Sequence, residues 1–113
     1  MSDVVVVEVG ARRLAVPLAH VRELTTAGWV TPVPTATAPV VGITQLRGQI
    51  MPVLDVAQPP RVVQAEDPLL VLEYGPARAA LVVTRLCAPD EAADPAPERL
   101  DVGALFDSVR GRP

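Results

Sequence analysis

The stretch Val40-Val41-Gly42-Ile43-Thr44-Gln45-Leu46-Arg47-Gly48-Gln49-Ile50-Met51-Pro52-Val53-Leu54-Asp55 constrains this chain more than any other. Two apolar runs of strand length meet at Arg47-Gly48. Glycine reaches positive φ without steric penalty, so that pair makes the tight centre of a hairpin loop. Val41, Ile43, Ile50 and Val53 are β-branched and favour strands over helix. The second run is apolar on both parities, with Ile50, Leu54 and Val56 on one and Met51 and Val53 on the other. A strand of that kind is covered on both sides, as in a small closed barrel or a sandwich corner.

Similar signals order the rest of the chain. Residues 4–9 and 12–16 read as a hairpin turned at Gly10-Ala11. Pro17 sits where a helix can start. Leu18, Val21 and Leu24 then recur at the spacing of a short helix that turns His20, Arg22 and Glu23 outward. Gly28 ends that turn, and residues 29–33 form a short strand. Pro32, Pro34 and Pro39 bracket residues 35–38 as extended loop. After the central hairpin, Gln58-Pro59-Pro60 stops the second strand. Residues 69–74 and 78–84 form a further hairpin around Gly75-Pro76. From Cys87 to Glu98 the composition shifts to Ala, Pro, Asp and Glu, which buries little and reads as loop. Residues 99–102 read as a last strand, and Leu105, Phe106 and Val109 mark a short C-terminal helix. Short strands separated by turn signals define an all-β chain with short helices, a barrel or pair of barrels.

Composition narrows the function. At 113 residues the chain is one domain, and with one Trp, one Tyr and one Phe its core is aliphatic. Net charge is −3, lysine is absent and no basic cluster occurs, which argues against nucleic acid. The single Cys87 makes no internal disulfide and reads as a buried, inert thiol. No apolar run approaches the ~18 residues of a membrane span, and Asp3 stands where a signal peptide carries basic residues. The expectation is a cytoplasmic chain with no direct membrane insertion. His20 has no Cys, second His or carboxylate at metal-ligand spacing and reads as solvent-facing, while Ser2 and Ser108 have no base beside them. No phosphate-binding glycine loop is present. We therefore expect no catalytic residue, no metal and no cofactor.

The central stretch also carries a resemblance. Val41 to Gly48 followed by Ile50 to Asp55 resembles the signature of the CheW-like coupling domain: a glycine, a short strand with an amide before Leu-Arg-Gly, then an apolar-Pro-apolar-apolar-Asp strand. Residues 4–23 resemble the family's opening hairpin and short helix, residues 29–34 its lead-in strand, and residues 69–84 its later hairpin. The resemblance implies a non-catalytic chemosensory adaptor built as two small SH3-like β-barrels. Such an adaptor binds the cytoplasmic tip of a chemoreceptor and couples it to the regulatory domain of a CheA-type histidine kinase. Carried over by position, Val21, Glu23, Gly42 and Arg47 are receptor-binding, and Gly48, Pro52 and Asp55 are structural. Gly42, Gly48 and Pro52 also have a purely geometric reading. Arg47 either ties the hairpin to an acceptor inside the fold or presents its planar donor fork to a partner.

One departure from the family shapes the expectation. Members run some thirty or more residues longer, and the deficit here falls after Thr84. The implied single domain of residues 1–113 then has a first barrel at about 10–60 with 99–110. Its second barrel, at about 1–9 and 61–98, is curtailed. Curtailment implies a reduced or altered kinase-binding surface and exposed strand edges that favour homodimerisation by edge pairing. The runner-up is a free-standing SH3- or OB-like interaction module outside chemotaxis. The scarcity of aromatics weighs against a peptide-reading groove.

Overall fold

A computed structural model describes residues 3–33, 38–57, 62–89 and 96–109. The valine run Val4–Val9 forms β1, and Gly10 at φ 61° turns it into β2, Arg12–Pro17. The two pair without slippage from Val4↔Pro17 to Val9↔Arg12. A single 3-10 turn, Leu18–His20, leads into β3, Val21–Thr26.

That strand replaces the expected helix. The three-residue recurrence of Leu18, Val21 and Leu24 spans too few residues to repay helix nucleation. Val21, Thr25 and Thr26 are β-branched, and β3 finds a ladder partner in β7. Leu18 and Leu24 consequently stay about half exposed, at 49% and 46%. His20 is half-buried rather than solvent-facing. Its Nδ1 lies 3.0 Å from the Glu73 carbonyl, which makes that nitrogen the donor, and its ring stacks obliquely on Tyr74.

The remaining strands are β4 (Val30–Thr31), β5 (Val40–Leu46), β6 (Gln49–Leu54), β7 (Pro68–Tyr74), β8 (Ala77–Val82), β9 (Arg85–Leu86) and β10 (Glu98–Arg99). Helix α1, Val102–Val109, ends the described chain. It begins at Val102, where a strand was expected to end, because Asp101 caps it. The Asp101 carboxylate accepts from the Ala104 N–H at 3.0 Å. Residues 34–37, 58–61 and 90–95, on which all but the last residue of the expected 35–38 loop, the Gln58-Pro59-Pro60 stop and the acidic loop centre fall, lie outside the described residues.

The strands form two sheets, ordered β3-β7-β8-β6-β5-β4 and β10-β2-β1-β9. The hairpin β7–β8 occupies the middle of the larger sheet, where β8 runs parallel to β6 through Val53↔Ala80 and Leu54↔Leu81. β1 stays beside β2 across residue 10, because a two-residue connection leaves antiparallel neighbours no room to separate.

Val7, Val9, Leu14 and Val16 of the smaller sheet meet Leu54, Leu70, Leu72 and Leu81 of the larger, closed by Val102, Leu105 and Phe106 of α1. A second cluster fills the other face of the larger sheet: Met51, Val53, Leu69, Val71, Ala80 and Val82. β6 is therefore covered on both sides as expected from Met51 onward. Ile50, expected inside with Leu54, is 68% exposed. A small third cluster, Val6, Ala15 and Cys87, lies on the smaller sheet's outer face.

Candidate functional site

Arg47 and Gly48 adopt φ of 52° and 78°, so both centres of the β5–β6 turn lie in the left-handed region that a type I′ hairpin demands. Glycine meets that demand freely. An arginine meets it at a steric cost, and strain of this kind concentrates where a side chain is held for a purpose. The purpose is visible in its contacts. Arg47 Nε and Nη2 donate to the two carboxylate oxygens of Glu23 at 3.0 and 2.9 Å, a fork-on-fork pair between residues 24 apart in sequence. The Arg47 side chain is 70% exposed and that of Glu23 only 22%, so the carboxylate is held against the fold and the guanidinium faces solvent. Arg47's hydrogen bonds hold the Glu23 carboxyl below its ordinary value, and Glu23 in turn raises that of Arg47.

A bulge in β3 decides which way Glu23 looks. The register shifts between Val21↔Leu72 and Glu23↔Val71. Opposed residues share a face; Leu72 belongs to the inter-sheet core and Val71 to the second cluster. Val21 therefore packs inward against the inter-sheet core, while Glu23 points to the rim of the second cluster. The structure separates these two, although both were expected to face one partner.

Glu23 and Arg47 are joined at that rim by residues the sequence did not single out. Glu73 Oε2 accepts from Arg22 Nη1 at 3.2 Å and from Arg78 Nε at 3.0 Å, and Arg78 Nη1 donates to Gln49 Oε1. Charge spacing along the chain gives no hint of this network, because it is assembled by cross-strand pairing of β3, β7, β8 and β6. The rim surrounds a dimple of about 10 Å³, the room of a single water, floored by Met51 and Val71. A hollow of that size is too small to enclose a small-molecule substrate.

The other expected residues lie elsewhere. Gly42 is buried, and a Cβ there would stand 2.6 Å from the Thr31 carbonyl oxygen and 2.9 Å from Val30 Cγ1. Its role in the structure is to let β4 lie close on β5. Pro52 opposes Ile43, and the parallel pairing with β8 begins one residue later, where a missing N–H no longer interrupts a second ladder. Asp55, 3% exposed, accepts from the Ala57 N–H at 2.9 Å while its own N–H donates to the Pro39 carbonyl, closing the strand's exit. Among the described residues no group of His, Cys, Asp and Glu is placed to hold a metal ion. No described helix is long and apolar enough to cross a membrane.

Comparison with known proteins agrees with this architecture. The model of the CheW-like domain matches residues 3–93. A search of curated proteins returns no match. Among solved structures, the scaffolding protein TtCheW from Thermoanaerobacter tengcongensis is similar with a TM-score of 0.65 and 22% identity, over 76% of this chain and 62% of that one. At that identity the likeness speaks for the fold: two packed β-sheets of the SH3-like, barrel-type kind. The family match spans most of the chain, and the chain belongs to the CheW-like domain family. It corresponds to somewhat less than two thirds of the length of that scaffolding protein.

Proposed function

We propose that this chain is a non-catalytic coupling adaptor of chemosensory signal transduction, binding the cytoplasmic tip of a chemoreceptor through the rim that holds Glu23 and Arg47. The observation that carries this reading is their bidentate pair, which fixes a mostly exposed guanidinium at the tip of the central hairpin. An arginine held so has donors left for a partner's carboxylate or carbonyl. Gly42 acts in the same function indirectly, by placing β4. Val21 acts through the inter-sheet core that seats β3.

Coupling to a CheA-type kinase regulatory domain is altered in this reading. Among the described residues the smaller sheet has two full strands flanked by two-residue strands, and the matched part of the chain covers 62% of the scaffolding protein it resembles. A surface that depends on further strands in that sheet is reduced, which suits an accessory adaptor. In shortness and composition the chain resembles the small CheW-like adaptor of the myxobacterial frizzy system, and we place it among adaptors of that kind.

The test is a binding matrix of this protein against receptor tips and kinase regulatory domain, with Arg47→Ala and Glu23→Ala, each checked for an unchanged amide NMR spectrum away from the rim. Both variants are expected to lose receptor-tip binding while folded. Undiminished binding in both would overturn the receptor site. Kinase binding as tight as a full-length coupler's would overturn the accessory reading.

A further inference from the structure

The outer face of the central hairpin carries an apolar patch that the receptor reading does not use. Successive side chains along β5 and β6 alternate between the two faces, so Thr44 and Met51 go inside while Ile43, Gln45 and Ile50 go out. Trp29, just before β4, lies over them and is 84% exposed; Ile50 is 68% and Ile43 38% exposed. The three border a shallow hollow of about 180 Å³ whose other walls are Thr31, Thr44 and Gln45.

The tryptophan's backbone is fixed in this place. Buried Thr44 donates its hydroxyl to the Trp29 carbonyl at 2.8 Å, and glycine at position 42 lets the adjoining Val30–Thr31 close onto β5. Buried groups thus hold the largest apolar side chain of the molecule in water. An arrangement of that kind marks an interaction surface.

We propose that this face, around Trp29, Ile43 and Ile50, is where a second copy of the chain docks. None of the residues bordering the hollow is ionisable, in a chain whose charged residues make up 20%. A two-fold contact sets each group beside its own copy, so like charges would repel and an uncharged patch suits self-association. Edge pairing is the poorer route. β9 and β10 are two residues long, and their Arg85 and Glu98 are engaged with Glu8 and Arg12 within the chain. β4 is equally short and is followed by Pro32, and β3, the six-residue opposite edge of the larger sheet, is interrupted by a bulge between Val21 and Glu23.

Area sets the strength. Trp29 and the two isoleucines expose on the order of 300–400 Å² of apolar surface, against about 800 Å² per partner in a standard stable interface. The pairing is therefore weak and reversible, of a strength that concentration inside an assembly would bring about. The receptor rim lies on the opposite face of the hairpin, so both contacts fit on one molecule.

Trp29 is the only tryptophan, so its fluorescence reports this surface alone. In sedimentation equilibrium of the full chain, apparent mass is expected to rise from 11.9 kDa toward twice that value with concentration. A blue shift of tryptophan emission should share its midpoint. Ile50→Glu and Gln45→Arg, both on exposed positions, should each shift that midpoint by about tenfold or more. A monomer at every concentration overturns the proposal, also when added kinase regulatory domain or receptor tip shifts the emission, because the patch then belongs to that partner. Dimers indifferent to both substitutions, with unshifted emission, overturn it in favour of another surface.

Discussion

The larger sheet buries leucines and valines on both faces, whereas the smaller buries them on its inner face and only Val6, Ala15 and Cys87 on the outer. Both sheets come from the same valine-rich vocabulary. The difference is what lies against them: the larger has the smaller sheet and α1 on one side and, on the other, a second cluster joined by Ala27, Val30 and Val63. The lesson is that the smaller sheet has one well-filled face, shared with the larger, whereas the larger has two, and that the Glu23–Arg47 rim stands on the second of these.

The contrast breaks most readily at the core. Leu81→Ala empties a site with no solvent exposure between the sheets and should cost about 2–5 kcal/mol in urea unfolding. Val6→Ala, on the thin outer face, should cost about 1–2 kcal/mol. Equal losses at both sites would mean that the smaller sheet is as well supported as the larger. An effect smaller than that of Leu81→Ala, of about 1–3 kcal/mol, is expected of Gly42→Ala, whose methyl meets backbone at Thr31 and must push β4 aside. Its signature is local: faster amide exchange at Val30 and a changed Trp29 emission, with the smaller sheet untouched.

The smallest expected effect sharpens the rim. Glu23's carboxyl is held below its ordinary 4.5 by Arg47, so the pair's contribution is complete above that value. It disappears as the pH falls through the lowered one. An NMR titration should find the Glu23 carboxyl midpoint below the ordinary range, and Arg47→Ala should move it back up. A midpoint unmoved by that substitution would detach the two residues in solution.

How far the sequence disclosed this molecule depends on the range of the forces involved. The central hairpin was legible because Arg47-Gly48 is a local signal and the alternation on either side is local too. α1 was legible from Leu105, Phe106 and Val109. The segment after Pro17 misled, because three apolar residues at helical spacing cannot announce that β7 lies ready to pair with them. The Glu23–Arg47 contact is similarly non-local: it exists only because β3 bulges at Arg22 and the hairpin turn swings beside it. Trp29 was expected to open a strand, whereas it stands just before β4 and is exposed; nothing within the sequence tells a tryptophan which side of its sheet is covered.

The parallel pairing of β10 with β2 has a consequence for how the molecule forms. Glu98 and Arg99 align with Leu14 and Ala15, and the Arg12–Glu98 contact spans 86 positions. The larger sheet draws its strands from residues 21–82. During synthesis it is complete in sequence before the partner that flanks β2 has left the ribosome. Contacts of such long range form late, since the chain between them must first be ordered. The first hairpin in the sequence is thus the one whose sheet is completed by a strand from near the far end of the described chain.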